Sequence, residues 1–319
     1  MKYKATGLSN WLHILVLIVL FAIQAVSLSA SEAEETEEQV PTQQEEPVEP
    51  FELRNDRVIA LQITEGEIKW MKTGKSEFLG ILKSDSSGRA LGGVLILASP
   101  NSAPNSPGAI NYLSNELSEN GWHTLSISVP EFNFSGPAPK HPDAKLDKAE
   151  KQSESDENKQ VEGAKVDDKR SGMPDSKIWY KEQQTKNMEK LLQRVLVSEA
   201  ELQALGGQYI IIAQGATAEL LLELISSNVI NPQGLITLDI QHPVDQRMSS
   251  IPAHLAKVTI PTLDVFNVPS SELAKKRKLK QKGNNYRQTY VPANGIHYKG
   301  SEHLLYKKIK GWLTINFSK

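Results

Sequence analysis

Short apolar runs that alternate with helical stripes constrain the fold of this chain most strongly. The segment ALGGVLILASP is typical of a buried parallel strand, and WHTLSISVP is a second segment of the same kind. Between them Ile110, Leu113 and Leu117 recur at helical spacing, and Gly121 stands where a helix commonly ends. A strand, a helix and a strand within about forty residues predict two parallel strands joined by a right-handed crossover.

The same alternation continues toward the C-terminus. Further strands are predicted for GGQYIIIAQ, QGLITLDIQHP, TIPTLDVFNVPSS and YRQTYVPANGIHYKG, with helical segments between or after them. Two extended runs around Thr73 and Gly74 predict an antiparallel hairpin, to which Trp70, Phe78 and Leu79 contribute apolar side chains. We therefore expect an α/β domain over residues 51–319, with a mostly parallel central sheet and helices on both faces.

The first thirty residues have the pattern of a secretory signal peptide. Lys2 and Lys4 precede the apolar core ILVLIVLFAI, and small residues follow, so cleavage is expected between Ser27 and Ala30. The alternative is an uncleaved membrane anchor, although the apolar core is short against the roughly 20 residues that a spanning helix needs. We expect a periplasmic or secreted protein, with an N-terminally anchored one as the alternative.

Two polar segments flank or interrupt the predicted domain. Residues 31–50 are mostly Glu, Gln and Pro, and residues 137–176 mix both charges with Ser and Pro. Because both segments have few apolar residues, burial cannot offset the entropy lost on ordering them. We predict a disordered acidic leader and a disordered charged insertion.

Composition excludes several kinds of chemistry. The chain has no cysteine, so it has no disulfide, thiol nucleophile or cysteine-ligated metal. It has no H-x-x-x-H spacing, no G-x-G-x-x-G and no P-loop lysine, so we expect no metal ion and no cofactor. A net charge of −2 argues against nucleic-acid binding, which needs a basic surface.

Four segments resemble an uncharacterised bacterial family of alpha/beta-hydrolase-like proteins, a domain of unknown function. They are GGVLILASP, LSENGWHTLSISVP, IIIAQGATA and IKGWL. The likeness runs from about Trp70 to Leu313, apart from the charged insertion. It implies an alpha/beta-hydrolase-like fold, in which the strand, turn and helix of YIIIAQGATAELLLELI would form the nucleophile elbow.

On that pattern the expected nucleophile is absent. In G-x-S-x-G the serine lies at a strained strand-to-helix turn between two small residues. Gly215 takes the serine position, and Ala213 and Thr217 take the two glycine positions. Glycine accepts a positive φ without steric cost but offers no nucleophile. Thr217 is the nearest substitute hydroxyl, although it lies within the predicted helix.

The resemblance also suggests candidates for the other catalytic roles. His297 follows the last strand, where the fold carries its base, while His303 lies in the final helix. The usual place of the acid falls near Ser270 and Glu272, since Asp264 lies inside a predicted strand. A glutamate at a helix start is also favoured by the helix dipole alone.

The loop ASPNSAPNSPG corresponds to an oxyanion-hole loop in such enzymes. Ser99, Asn101 and Ser102 could supply hydrogen-bond donors there, or could be ordinary turn-forming residues. An enzyme interpretation uses Ser99 or Ser102 as a nonstandard nucleophile, with His297 as its base.

The run KKRKLKQK is the only dense basic patch in the sequence. Its first residues could contact an anionic membrane surface, and the alternative is a solvated helix face. These residues are Lys275, Lys276, Arg277 and Lys278.

Two functions follow from these observations. The first is a non-catalytic, envelope-associated protein that binds an unknown small molecule or envelope component. The second is an esterase- or peptidase-type hydrolase with a nonstandard nucleophile and His297 as base.

Overall fold

The computed structural model describes residues 51–74, 76–132, 176–242, 250–279 and 283–317. The predicted signal peptide, the acidic leader and almost all of the predicted insertion lie outside these residues. Ser176, the last residue assigned to the insertion, begins a helix.

The described residues form eight strands in one sheet. The strands are β1 (Glu67–Thr73), β2 (Ser76–Lys83), β3 (Gly92–Leu97), β4 (Trp122–Ile127), β5 (Gln208–Gln214), β6 (Gly234–Leu238), β7 (Thr262–Phe266) and β8 (Tyr286–Tyr290). Their order in the sheet is β1-β2-β4-β3-β5-β6-β7-β8. β1 and β2 form the predicted antiparallel hairpin, β2 pairs antiparallel with β4, and the strands from β4 to β8 are parallel. The predicted mostly parallel sheet is therefore confirmed.

Seven helices connect or flank these strands within the described part of the chain. They are α1 (Phe51–Ala60), α2 (Ala109–Ser118), α3 (Ser176–Ala204), α4 (Gly215–Ser226), α5 (Ile251–Leu255), α6 (Ser271–Leu279) and α7 (Glu302–Phe317). None of these described helices combines the length and the apolar character that a membrane crossing requires.

Helices cover both faces of the sheet because successive strand residues point to opposite sides. On β3, Leu95 and Leu97 pack in one apolar core with residues of α3 and α4. Val94 and Ile96 pack in a second core with residues of α2 and α7. Since every residue of β3 is buried, this strand reads as a continuous apolar run in the sequence.

The helix α1 was not predicted from the sequence, and a polar side chain anchors it to the sheet. Asp56 is buried, and its Oδ2 accepts hydrogen bonds from Leu79 N at 2.9 Å and from Ser128 Oγ at 2.7 Å. Helix prediction relies on apolar residues that face a core, and the sequence of α1 is polar on average.

Candidate functional site

Gly215 lies at a turn where an added side chain would meet Ser99. β5 ends at Gln214 and α4 begins at Gly215, whose φ of 59° is in the left-handed region that favours glycine. A Cβ atom at this position would lie 2.7 Å from Ser99 Oγ, closer than real Cβ atoms approach another heavy atom. A side chain here would therefore require Ser99 to move.

Ser99 is held against this turn by Gln214. The backbone N–H of Ser99 donates to Gln214 Oε1 at 3.2 Å, and the side chain of Ser99 is largely buried. The structure thus brings together Gly215 and Ser99, two residues that are far apart in the sequence.

Ser102 has different surroundings from Ser99. Its N–H donates to Ser99 O at 3.1 Å, which closes a turn that includes Asn101 at a φ of 62°. Asn101 and Ser102 line a cavity of about 290 Å³ together with Ser128 and Arg194. The two candidate serines therefore lie at different places, and only Ser99 contacts the turn at Gly215.

The hydroxyl of Thr217 makes a structural hydrogen bond. Its side chain is fully buried, and its hydroxyl donates to Ala98 O at 2.8 Å. This contact ties α4 to the end of β3 and leaves the hydroxyl without access to solvent.

His297 approaches the turn through its backbone. Its carbonyl accepts a hydrogen bond from Ala109 N at 2.8 Å, and the carbonyl of Ile296 accepts one from Gln214 Nε2. The imidazole itself is exposed, and no described residue hydrogen-bonds to it. The His297 loop is thus part of the site, while its ring has no orienting partner among the described residues.

The residue that follows β7 is Asn267, which is fully buried. Asn267 Nδ2 donates to Asp239 Oδ2 and to Gly295 O, both at 3.1 Å. Asn267 therefore connects the end of β6 to the loop that carries His297. Sequence reasoning had placed the acid near Ser270, whose buried hydroxyl lies 3.1 Å from Asn267 Oδ1.

Asp239 is the buried acid of this region, and sequence reasoning missed it. It follows β6 directly with a φ of 52°, and its Oδ1 has no hydrogen-bond partner among the described residues. Burial raises the pKa of its carboxyl, although the neighbouring side chains of Ser270 and Asn267 act in the opposite direction. The available signal was its position at the carboxyl end of a parallel strand, where sites of open α/β sheets lie.

Glu272 does not join these residues. It lies in the first turn of α6, is exposed, and pairs with Lys275 at 2.7 Å. This hydrogen bond lowers the pKa of its carboxyl. Glu272 therefore has the contacts of a solvated residue in the first turn of a helix, where the helix dipole favours a glutamate.

One residue of the predicted basic patch, Arg277, is buried. Arg277 is 3% exposed, and its guanidinium donates to both oxygens of Asp264, at 2.8 Å from Nε and 3.1 Å from Nη2. The prediction that Arg277 belongs to a membrane-facing patch is therefore wrong, because its charge is paired inside the protein. Lys275, Lys276 and Lys278 are exposed.

Within the described residues, no group of three or more His, Asp or Glu side chains is placed to hold a metal ion.

A family model described as "Protein of unknown function (DUF3530)" matches residues 12–315. The chain belongs to this family. Among curated proteins, none matches it.

Solved structures with the same fold include several hydrolases. Dienelactone hydrolase from Anabaena variabilis has 13% identity and a TM-score of 0.53, over 79% of this chain and 98% of that one. Est1E from Butyrivibrio proteoclasticus has 10% identity and a TM-score of 0.53, over 80% and 100%. A soluble variant of monoglyceride lipase from Saccharomyces cerevisiae has 10% identity and a TM-score of 0.53, over 81% and 97%. These similarities confirm the alpha/beta-hydrolase-like fold.

Proposed function

We propose that this chain is an exported binding protein of the cell envelope that uses a hydrolase fold without hydrolysing its ligand. The observation that carries the proposal is the contact between Gly215 and Ser99. Ser99 Oγ lies 2.7 Å from the point where a Cβ at residue 215 would stand. The turn therefore has no nucleophile of its own, and its neighbour fills the space that a nucleophile would need.

The surroundings of His297 support the same proposal. A general base must be oriented by a third group and must reach the nucleophile. The ring of His297 is exposed, and Asn267 follows the strand after which sequence reasoning expected the acid. Asn267 gives its amide hydrogens to Asp239 and Gly295, so it does not orient the imidazole.

Labelling with a fluorophosphonate probe tests the absence of a reactive serine. The purified mature protein should remain unlabelled, while a serine esterase in the same reaction should label fully. The Ser99→Ala variant serves as the matched control. Stoichiometric labelling of the wild-type protein that disappears in Ser99→Ala would overturn the proposal.

A hydrolase with Ser99 as nucleophile is the second candidate function. It is favoured by the position of Ser99 Oγ, which lies beside the Cα where an elbow serine would project its side chain. The scaffold is also that of dienelactone hydrolase and of monoglyceride lipase. On this alternative, His297→Ala should lower p-nitrophenyl acetate hydrolysis by about 10²-fold or more. On the binding proposal, by contrast, we expect His297→Ala to leave the background rate of p-nitrophenyl acetate hydrolysis unchanged.

Export is tested by the mass of the mature protein. Intact mass spectrometry of protein from the envelope fraction should show cleavage between Ser27 and Ala30. A full-length mass in the membrane fraction would instead support the anchored alternative.

We also propose peripheral contact with an anionic membrane through α6. Lys276 and Lys278 are exposed, and Leu279 beside them is 86% exposed. A lysine near an anionic surface contributes about 1 kcal/mol to binding, and salt weakens this attraction.

Co-sedimentation with phosphatidylglycerol vesicles tests this contact. Lys276→Glu/Lys278→Glu should abolish binding, whereas Lys307→Glu/Lys308→Glu makes the same charge change on the exposed face of α7 and should retain it. Equal loss in the two variants would show that only net charge matters and would overturn a role for α6.

A further inference from the structure

A second polar region lies apart from the turn at Gly215. It is a cavity of about 280 Å³ under α2, against β2 and β4. Its floor includes Ser114 and Ser126, and its rim includes the exposed side chains of Thr64 and Asn111. The corresponding face of β3 carries Val94 and Ile96, which pack in an apolar core. Polar side chains therefore line one part of a sheet face that is apolar elsewhere.

Ser126 is the most informative residue of this cavity. Its side chain is 1% exposed, and its Oγ has no hydrogen-bond partner among the described residues. Thr124, on the same face of β4, satisfies its hydroxyl by bonding to Ser114 Oγ at 3.0 Å. A buried hydroxyl without a partner is unfavourable, so a partner from outside the chain would stabilise it.

Lys83 brings a positive charge to the cavity, and the carboxylate of Glu65 balances it. The side chain of Lys83 is 11% exposed, and its ammonium lies 3.4 Å from Glu65 Oε2. The same ammonium donates to Asn115 Oδ1. The cavity thus offers an ammonium, a carboxylate, amides and hydroxyls together, and it lacks the surplus positive charge that an anion would need.

We propose that this cavity binds a small neutral polyhydroxyl compound, such as a short polyol or a single sugar ring. Hydroxyl groups both donate and accept hydrogen bonds, so they match a lining of amides, hydroxyls and an ion pair. The volume of about 280 Å³ is close to the lower end of the range of about 300–1,000 Å³ that is typical of ligand pockets, which suits a ligand of that size. A ligand hydroxyl on the floor would give Ser126 its missing partner.

The site is independent of the turn at Gly215. Ser126 lies on the α2 side of the sheet, and its cavity shares no lining residue with the contact between Gly215 and Ser99. This inference therefore does not rest on the absence of catalysis at Gly215, and either could fail without the other.

Ligand-observed NMR on the full-length protein tests the proposal, with glycerol, glucose and inorganic phosphate as probes. We expect glycerol or glucose to bind saturably with a Kd in the millimolar range, and phosphate not to bind. Ser126→Val removes the hydroxyl and fills the floor, and Asn111→Leu changes an exposed rim residue without disturbing the core. Each should weaken binding by about tenfold.

Ser227→Ala is the matched control, because it removes an exposed serine hydroxyl at the end of α4, on the other side of the sheet, and should leave polyol binding unchanged. Glycerol binding without glucose binding would assign a polyol site, and the reverse would assign a sugar site. Absence of saturable binding by both compounds would overturn the proposal. Preferential binding of phosphate that Lys83→Met abolishes would also overturn it, in favour of an anion site.

Discussion

Two buried aspartates on neighbouring strands have opposite environments. Asp264, within β7, accepts hydrogen bonds from several side chains, which belong to Thr237, Arg277, Tyr286 and Gln288. Asp239, directly after β6, keeps one oxygen without a partner among the described residues and has a left-handed backbone.

The difference is that Asp264 stabilises the fold, whereas the position of Asp239 lowers the stability of the folded protein. A buried charge is tolerated when it is paired and hydrogen-bonded, as Asp264 is with Arg277. A strained backbone and an unpaired buried oxygen persist only where the surrounding structure imposes them, and such features cluster at functional sites. Asp239 also connects through Asn267 to the His297 loop, so it belongs to the candidate site.

The largest expected effect is at Asp264. Replacing it with Ala leaves the charge of Arg277 buried and unpaired, and should lower the free energy of unfolding by about 3–5 kcal/mol. Urea denaturation measures this change. Glu272→Ala breaks an exposed pair with Lys275 and should have no measurable effect. Similar losses in both variants would remove the distinction between buried and exposed pairs.

The next effect in size is at Gly215, for which Gly74 is a matched control. Both glycines have a φ of 59°, but an added Cβ at Gly74 would have no described atom within 4 Å. Backbone strain should lower the free energy of unfolding by about 1–2 kcal/mol in both Gly→Ala variants. Overpacking against Ser99 should lower it by about 1–3 kcal/mol more in Gly215→Ala alone.

A double-mutant cycle isolates this contact. Removing the Ser99 side chain in Ser99→Gly should bring the cost of Gly215→Ala close to that of Gly74→Ala. An unchanged cost would show that Ser99 does not close the turn, and would weaken the proposed absence of catalysis.

The smallest effect is at Asp239, and its sign is opposite to that at Asp264. Asp239→Asn removes a charge while keeping an oxygen acceptor, and should raise the free energy of unfolding at neutral pH by about 1 kcal/mol. Desolvation raises the pKa of Asp239 above its ordinary value of 3.8, so ionisation is disfavoured in the folded protein. The penalty is present above the raised pKa and vanishes as the pH falls below 3.8.

Urea denaturation at a series of acidic pH values measures how the free energy of unfolding depends on pH. Asp264→Asn serves as the control. The advantage of Asp239→Asn over the wild type should shrink as the pH falls. A destabilised Asp239→Asn at neutral pH would place Asp239 in the same class as Asp264.

The sequence predicted most of the fold because its signals are local. The apolar run of β3 and the spacing of Ile110, Leu113 and Leu117 in α2 reflect burial within single elements. The position of Gly215 at a strand-to-helix turn was also predicted, since a tight turn between two apolar segments is visible in a dozen residues. By contrast, α1 is polar on average, and the burial of Asp56 depends on partners in β2 and beyond β4.

The candidate site was only partly predictable. His297 was correctly placed in the loop after the last strand. Asp239 and Asn267 were missed because each follows a different strand, and only the parallel pairing of β6 with β7 brings them together. Arg277 was misplaced because a lysine-rich run gives no sign that one of its members points inward.

The sequence by itself determined the α/β class, the order of the strands and the glycine at the turn, since each depends on neighbours along the chain. Only the tertiary structure decided which polar side chains meet. Ser99 closes on Gly215 across more than a hundred residues, Asp264 is neutralised by Arg277, and Ser126 lies unpaired beneath α2. These contacts arise from strand pairing and helix packing, and local sequence does not encode the distance between the groups that they join.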